Sequence, residues 1–173
     1  RSLDGGETWE QIAEGFDHDG HAIAVMPDNE SKVIATGGKG MYVSTDRGDN
    51  WVLSNEGIDQ CHYTPAPLVV QPSSPNVLVT AVTRSGPPSW MRPVDPGVYF
   101  VRSDDQGQTW SMMREGLPGG YFGVPRALAG DAENLDDYYA GMTDGVVWQS
   151  RDGSESFHQI LTGLPAVLSI TVG

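Results

Sequence analysis

The sequence predicts an all-β fold built from repeated antiparallel sheets, and three observations support that prediction. The chain holds 22 Gly and 12 Pro among 173 residues, well above the roughly 12% share of ordinary proteins, which indicates many tight turns. One eight-residue phrase occurs four times, with Asp4, Asp46, Asp105 and Asp152 in the same place. Between the phrases stand short β-branched or aromatic runs that lack helical periodicity.

The repeated phrase reads SLDGGETW, STDRGDNW, SDDQGQTW and SRDGSESF in its four copies. Its aspartates are 42, 59 and 47 residues apart, and repeats of this length are typical of solenoids, propellers and arrays. We expect each Asp carboxylate to accept hydrogen bonds from backbone N–H groups of a turn, while the Ser hydroxyl bonds locally. Gly6, Gly48 and Gly107 should supply a positive φ that a side chain resists.

The last residue of each phrase is aromatic, and we expect its ring to fill the hydrophobic layer between neighbouring units. The four rings belong to Trp9, Trp51, Trp110 and Phe157. Because a catalytic group is not usually built four times, the phrase is predicted to be scaffolding rather than a site.

Three full units fit one template of four short strands each. In the first unit the predicted strands cover residues 21–27, 32–38, 40–46 and 50–56. In the second they cover residues 67–72, 76–82, 97–104 and 109–115, with an insertion at 83–96. In the third they cover residues 126–130, 137–142, 145–152 and 156–161. Four antiparallel strands in a repeat of about 40–45 residues predict the blade of a β-propeller.

The chain is predicted to be one propeller domain over residues 1–173, with a partial blade at each end. The blades are placed at about 16–56, 62–116 and 121–162, and the remnants at 1–15 and 163–173. The first remnant should contain an outer strand at 8–15 and the second an inner strand at 166–173. Three blades make about half a propeller, so the open faces should pair with a copy of the chain or with a second chain.

The phrase Ser-x-Asp-x-Gly-x-Thr-Trp resembles the Asp-box, or bacterial neuraminidase repeat, of β-propellers such as sialidases, xyloglucanases, sortilin-type receptors and photosystem II assembly factors. The sequence departs from it at Asn50, Ser154 and Phe157, where the repeat has Thr, Gly and Trp. The resemblance implies the propeller fold and favours an extracytoplasmic or secreted location, although no signal peptide is visible. It leaves the function open, because one fold carries many activities.

Composition excludes several kinds of partner and cofactor. A net charge of −13 without a basic face argues against nucleic acid and anionic membranes. No run of about 18 apolar residues is present, so membrane insertion is not expected. The single cysteine, Cys61, excludes an internal disulfide and a multi-cysteine zinc site, and no cofactor is predicted.

Turn parity places the functional residues at one end of the blades, opposite the Asp-boxes. This end should carry the turns between second and third strands and the crossings from blade to blade. Its candidate ligand-binding residues are Trp90, Arg84, Arg92, Arg126, His21, His62, Tyr63 and Tyr121.

Three chemical interpretations of that end remain open. A sialidase would use Arg84, Arg92 and Arg126 for a carboxylate, but the Arg-Ile-Pro signature of that family is missing. A xyloglucanase-like hydrolase would need two carboxylates across a sugar cleft. Its candidates are Asp17, Asp19, Asp59, Asp95 and Asp144. A metal site would draw on His18, His21 and His62, although loop histidines of this kind are commonly structural.

The preferred interpretation is a binding or assembly propeller without chemistry of its own, acting on a carbohydrate or protein ligand. The insertion at 83–96 is the place where the chain departs from its repeat. Trp90, which looks exposed in the sequence, stands there between Arg84 and Arg92, and this composition is enriched at interface hot spots. We expect the insertion to wall a groove, and the alternative is that Trp90 folds onto its blade.

Overall fold

The computed structural model describes residues 1–12, 14–58, 60–61, 63–71, 74–90, 92, 94–113, 115–117 and 123–173. Within these residues twelve strands form three four-stranded antiparallel sheets, each with its strands in chain order. The first sheet contains β1 (Gly20–Met26), β2 (Asn29–Gly37), β3 (Gly40–Ser44) and β4 (Val52–Leu53). The second contains β5 (Val69–Val70), β6 (Leu78–Thr83), β7 (Val98–Ser103) and β8 (Ser111–Met113). The third contains β9 (Pro125–Gly130), β10 (Tyr138–Met142), β11 (Val147–Ser150) and β12 (His158–Leu161).

These sheets are the three blades that the repeat predicts, and the all-β propeller class is confirmed. The serines of the second, third and fourth Asp-boxes each pair with an equivalent residue of the second strand of their blade. Those pairs are Ser44 with Val33, Ser103 with Leu78 and Ser150 with Tyr138. One helical turn, α1 (Pro87–Trp90), lies in the insertion, which the sequence predicts as loop throughout.

Apolar layers hold the blades together. The layer between the first and second sheets includes Met26, Ile34, Leu78 and Trp110, all buried. The layer between the second and third sheets includes Phe100 and Phe157, whose rings stack with centroids 4.1 Å apart. A third layer covers the outer face of the first sheet with Val33, Ala35, Tyr42 and Trp51. Phe16 packs against this layer.

Each Asp-box turn is closed by the bonds that the sequence predicts. In the second box the Ser44 hydroxyl donates to the Asp46 carboxylate at 2.8 Å and accepts the Gly48 N–H at 2.7 Å. The Asp46 carboxylate also accepts the Asn50 backbone N–H at 2.9 Å and the Asn50 side-chain N–H at 2.8 Å. The same pattern surrounds Asp4, Asp105 and Asp152. The Asp-box carboxylates therefore accept hydrogen bonds from groups of their own turns.

The positive φ expected of the box glycines is present. It is 95° at Gly6, 91° at Gly48 and 79° at Gly107, and Ser154 adopts 74° in the fourth box. The residue before each of these positions is also left-handed, which the sequence does not predict. Those residues are Gly5, Arg47, Gln106 and Gly153.

A second repeated contact links each blade to the unit before it, and we call it the blade joint. The backbone N–H of the box aromatic donates to the carbonyl of a glutamate that ends the preceding unit, as Trp51 does to Glu14 at 2.9 Å. The same bond links Trp110 to Glu56 and Phe157 to Glu115. The glycine after each glutamate, Gly15, Gly57 or Gly116, has a positive φ. A Cβ on Gly57 would lie 1.9 Å from the Trp110 carbonyl oxygen, so the joint requires glycine.

One prediction about the box aromatics is wrong. Trp51, Trp110 and Phe157 are 8%, 3% and 1% exposed, whereas Trp9 is 75% exposed. The three buried rings belong to the apolar layers described above, whereas the Trp9 ring belongs to none of these layers. Its indole N–H instead donates to the carbonyl of Gly6 in its own turn.

The two predicted strands in the end segments are also absent. The described part of segment 8–15 makes one isolated bridge, between Glu14 and Asn50. Segment 166–173 forms no strand, and the Val167 N–H donates to the Met142 carbonyl at 3.0 Å. A strand needs a ladder partner, and the described residues supply no second strand beside either segment.

Candidate functional site

The blades have two chemically different ends. The box end carries the four Asp-boxes. The crossing end carries the turns β2–β3, β6–β7 and β10–β11, together with the segments that lead from one sheet to the next. By this topology the described members of the predicted ligand-binding set belong to the crossing end.

His21, near the start of β1, links the first sheet to the segment before the second. Its Nδ1 lies 2.8 Å from the Thr64 carbonyl oxygen and 2.8 Å from the Thr64 hydroxyl. Its Nε2 lies 3.2 Å from a carboxylate oxygen of Asp19. The Thr64 hydroxyl in turn donates to the Gly37 carbonyl at 3.1 Å. His21 is therefore held on both ring nitrogens.

Trp90 is buried, which corrects the expectation that it is exposed. It is 7% exposed and belongs to the core between the second and third sheets. Its indole N–H donates to the Thr83 hydroxyl at 3.1 Å and to the Ser85 carbonyl at 2.8 Å. A buried indole needs such an acceptor, and here the last residue of β6 and the turn that follows it supply one each. The insertion thus folds its aromatic side chain onto the blade.

Arg126 lies over the buried indole. Its guanidinium carbon is 5.3 Å from the centroid of the Trp90 ring, within the range of a cation–π interaction. The residue is exposed, and no described residue accepts a hydrogen bond from its guanidinium. Because Thr83 and Ser85 fix the ring below it, the guanidinium stacks on a rigid surface.

These groups line one cleft of about 440 Å³ at the crossing end, a size suited to a small ligand or a side chain of a larger one. The cleft is lined by Gly20, His21, Ala22, Thr64, Pro65, Ala66, Pro67, Trp90 and Arg126. Among these described lining residues none is Asp or Glu, although the whole chain has a net charge of −13. Arg126 is the permanently charged side chain among these lining residues, and the Asp19 carboxylate lies just outside them, against His21.

The four candidate carboxylates that the structure describes lie outside the cleft lining, and each has contacts of its own. Asp17 accepts the His18 N–H at 2.8 Å, and its side chain is 8% exposed. Asp19 faces His21, while Asp95 and Asp144 accept N–H groups of their own turns, from Gly97 at 2.8 Å and Val146 at 3.3 Å.

The other predicted ligand-binding residues are dispersed. Arg84 donates to the Tyr99 hydroxyl at 2.8 Å, and Arg92 is exposed beyond α1. The three arginines of the sialidase interpretation therefore have separate surroundings. Tyr63 is half-buried, with its backbone paired to Thr83. Asp59, His62 and Tyr121 lie outside the described residues.

The described part of the chain contains no cluster of side chains that would support the metal interpretation. The His18 side chain is 99% exposed, and His21 already has Thr64 and Asp19 as partners. No group of three His, Cys, Asp or Glu side chains among the described residues could hold a metal ion. Among the described residues, no helix has the length and apolar character that crossing a membrane requires.

Two sets of contacts escape the sequence prediction. Thr64 contacts His21, and Thr83 and Ser85 accept hydrogen bonds from Trp90. Nothing in the sequence around these three residues indicates that they make these contacts. The joint glycines, in contrast, can be recognised in the sequence by their spacing. Gly15, Gly57, Gly116 and Gly163 are 42, 59 and 47 residues apart, the same intervals that separate the box aspartates.

The stacked sheets and their Asp-box turns define an Asp-box β-propeller. The Sortilin-Vps10 model (sortilin, neurotensin receptor 3) matches residues 1–131, and the chain therefore belongs to the Sortilin-Vps10 family. No curated protein matches the chain.

Solved structures share the fold at low sequence identity. An ancestral GH74 enzyme matches with a TM-score of 0.71 and 19% identity, over 87% of this chain and 19% of that one. The GH74 xyloglucanase from Xanthomonas campestris gives 0.62 and 21%, over 87% and 22%. YCF48 from Cyanidioschyzon merolae gives 0.53 and 14%, over 83% and 37%. A structure of YCF48 bound to D1 peptide gives 0.54 and 14%, over 82% and 40%. The chain spans well under half the length of each of these proteins.

Proposed function

We propose that this chain is a non-catalytic binding module whose crossing-end cleft takes a carboxylate group of a protein or peptide ligand. The observation that carries the proposal is the position of Arg126 over Trp90 in a cleft without Asp or Glu among its described lining residues. A guanidinium binds a carboxylate through two parallel N–H···O bonds, and its planar group keeps this geometry while stacked on a ring.

The surroundings of Arg126 support this role. Because Thr83 and Ser85 fix the Trp90 indole, the guanidinium loses little freedom when a ligand arrives. His21 and Thr64 are hydrogen-bonded to each other and form a fixed wall of the cleft. No described residue accepts a hydrogen bond from the Arg126 guanidinium, and we take its donors to be available to a ligand. The structure of YCF48 bound to D1 peptide is an example of peptide binding by a protein of similar fold.

The alternative is a glycoside hydrolase activity of the xyloglucanase or exo-sialidase type, which the similarity to GH74 structures favours. Hydrolysis by two carboxylates needs them roughly 5–9.5 Å apart across the sugar. We prefer the binding interpretation because Asp17, Asp19, Asp95 and Asp144 all lie outside the cleft lining.

The proposal also gives the open blade faces a partner, either a copy of this chain or another chain that carries further blades. The exposed fractions of Trp9, Ile23 and Val25, which are 75%, 68% and 55%, support such a partner.

A titration followed by NMR tests the cleft. The probes are a short alanine peptide with a free C-terminal carboxylate and the same peptide with a C-terminal amide. We expect shifts around the cleft with the carboxylate alone, and Arg126→Ala should weaken binding roughly tenfold to a hundredfold by removing charged hydrogen bonds. Arg92→Ala is the matched control, since it removes an equally exposed arginine that does not line the cleft.

Two results would overturn the proposal. One is equal binding of both peptides, or binding by Arg126→Ala at the affinity of the unmodified chain. The other is hydrolysis of xyloglucan or a sialoside that disappears in Asp17→Asn, Asp19→Asn, Asp95→Asn or Asp144→Asn.

A further inference from the structure

Lys32 lies on β2 at a place where the next blade has an apolar residue. In the register of the Asp-box serines, Lys32 and Val77 each stand one residue before the partner of the serine. Val77 is 8% exposed in the core between the second and third sheets. Lys32 is 9% exposed, and strand alternation turns it, like Ile34, toward the second sheet. An amine therefore lies between the first two blades.

The Lys32 amine has no close partner in the described part of the chain. Neither a hydrogen bond nor an ion pair joins it to a described residue, although lysine is rarely buried without a partner. Burial lowers the pKa of this amine below its ordinary value of 10.5, and Coulomb attraction from Asp105 and Asp28 opposes the shift without cancelling it. The neutral, nucleophilic form is therefore more populated at Lys32 than at a fully hydrated lysine.

The side chain of Lys32 lines a groove of about 590 Å³ between the first and second blades. Its nitrogen is not among the buried polar atoms that are closed off from solvent without a partner. Val43 and Val52 give the groove an apolar wall. The groove also holds three carboxylate residues, Asp46, Glu56 and Asp105. A small molecule that enters the groove can reach the amine.

We propose that Lys32 is a covalent capture site for small uncharged aldehydes, which it binds as a Schiff base. The neutral amine attacks the carbonyl carbon, so that an N–C bond forms. The carbonyl C–O bond then breaks, and the oxygen leaves as water with the two protons of the amine. The imine nitrogen takes up a proton from solvent and carries the positive charge that the Lys32 ammonium carried before.

The charges around Lys32 favour this chemistry over two others. Because three carboxylates surround one amine in the groove, an aldehyde that bears a carboxylate is repelled. Acylation would leave a neutral amide, whereas a protonated Schiff base keeps the cation that Asp105 and Asp28 attract. The Asp-box carboxylates keep their structural role, since the reacting group is the lysine.

Lys39 is the other lysine of the chain and serves as a control within the same molecule. Its side chain is 71% exposed, and its nitrogen lies 3.9 Å from a carboxylate oxygen of Asp17. Hydration and this ion pair both favour the protonated amine, which is not a nucleophile. The two lysines therefore compare an enclosed, unpaired amine with an exposed, paired one.

Reductive alkylation followed by mass spectrometry of the two lysine-containing peptides tests the site. The probe is propanal with cyanoborohydride, which reduces the Schiff base to a stable secondary amine. At pH 7 propanal should label Lys32 severalfold faster than Lys39. The ratio should fall as pH rises toward 10.5, because both amines are then largely neutral. Glyoxylate, an aldehyde that carries a carboxylate, should show a smaller preference for Lys32.

Two matched variants assign the label. Lys32→Arg keeps the positive charge but has no amine that can lose its proton, so the fast labelling should disappear and Lys39 should react as before. Lys39→Arg should leave the labelling of Lys32 unchanged. Circular dichroism checks that both variants are folded, and the comparison within the unmodified chain does not depend on either variant.

Three results would overturn the proposal. The first is labelling of Lys39 at least as fast as that of Lys32 at pH 7. The second is the same ratio in a chain unfolded by guanidinium chloride, where burial is lost and the ratio should approach one. The third is an equal preference for Lys32 with glyoxylate and propanal. The groove shares no lining residue with the carboxylate cleft, so these results do not depend on the proposed function.

Discussion

At the scale of single residues, the Asp-box aspartates stand out in the sequence, and the hydrogen bonds of their carboxylates stabilise the turn to which they belong. The side-chain N–H of Asn50, the backbone N–H of Asn50 and the Ser44 hydroxyl together lower the pKa of Asp46 to about 2. Asp4 is shifted to about 2 in the same way by Thr8 and Ser2. Burial opposes the shift at Asp105, but bonds from Thr109 and Ser103 outweigh it and lower the pKa of that carboxyl as well.

The lowered pKa values predict acid sensitivity with a defined sign. Since the folded pKa of Asp46 is about 2 and its ordinary value is 3.8, the box bonds contribute fully above pH 3.8. Their contribution is lost as pH falls from there toward 2. Urea unfolding at several pH values should therefore show falling stability over this interval, and Asp46→Asn should reduce the slope. An unchanged slope in Asp46→Asn would contradict this origin of the acid sensitivity.

At the scale of elements, the blade joint sets a strict demand on one residue per unit. Gly57→Ala brings a Cβ to 1.9 Å from the Trp110 carbonyl oxygen, whereas Gly163→Ala meets open space at a similar φ. We expect Gly57→Ala to lower the free energy of unfolding by at least about 1–3 kcal/mol through overpacking. Both substitutions also cost about 1–2 kcal/mol through backbone strain at positive φ, and this strain is the whole loss expected for Gly163→Ala. Chemical denaturation at low protein concentration measures both, and equal losses would contradict the joint.

The elements differ in how far the sequence predicts them. The strand runs and box turns are local patterns, so all three blades and the bonds around Asp46 follow from the sequence. Trp90 is mispredicted because its burial depends on Thr83 and Ser85, two ordinary turn residues. The cleft depends on segments that are distant in the chain, since His21 contacts Thr64, which lies 43 residues further along the sequence. A local sequence pattern does not predict this long-range contact.

At the scale of the whole molecule, stability and binding are assigned to opposite ends of the blades. Box turns and joints repeat with every unit, which is what a stacked array requires for its nearest-neighbour contacts. The Arg126–Trp90 pair does not repeat, because Trp90 belongs to the insertion of the second unit.

The separation of the two ends is tested most directly by measuring stability and carboxylate binding in Asp105→Ala. The substitution leaves the N–H groups of Gln108 and Thr109 without their acceptor, so the free energy of unfolding should fall by about 1–3 kcal/mol. At a temperature where the variant remains folded, the peptide carboxylate should bind with the affinity of the unmodified chain, whereas Arg126→Ala should keep its stability and lose binding. An Asp105→Ala protein that retains full stability and no longer binds the peptide would contradict the division between a structural box end and a binding cleft.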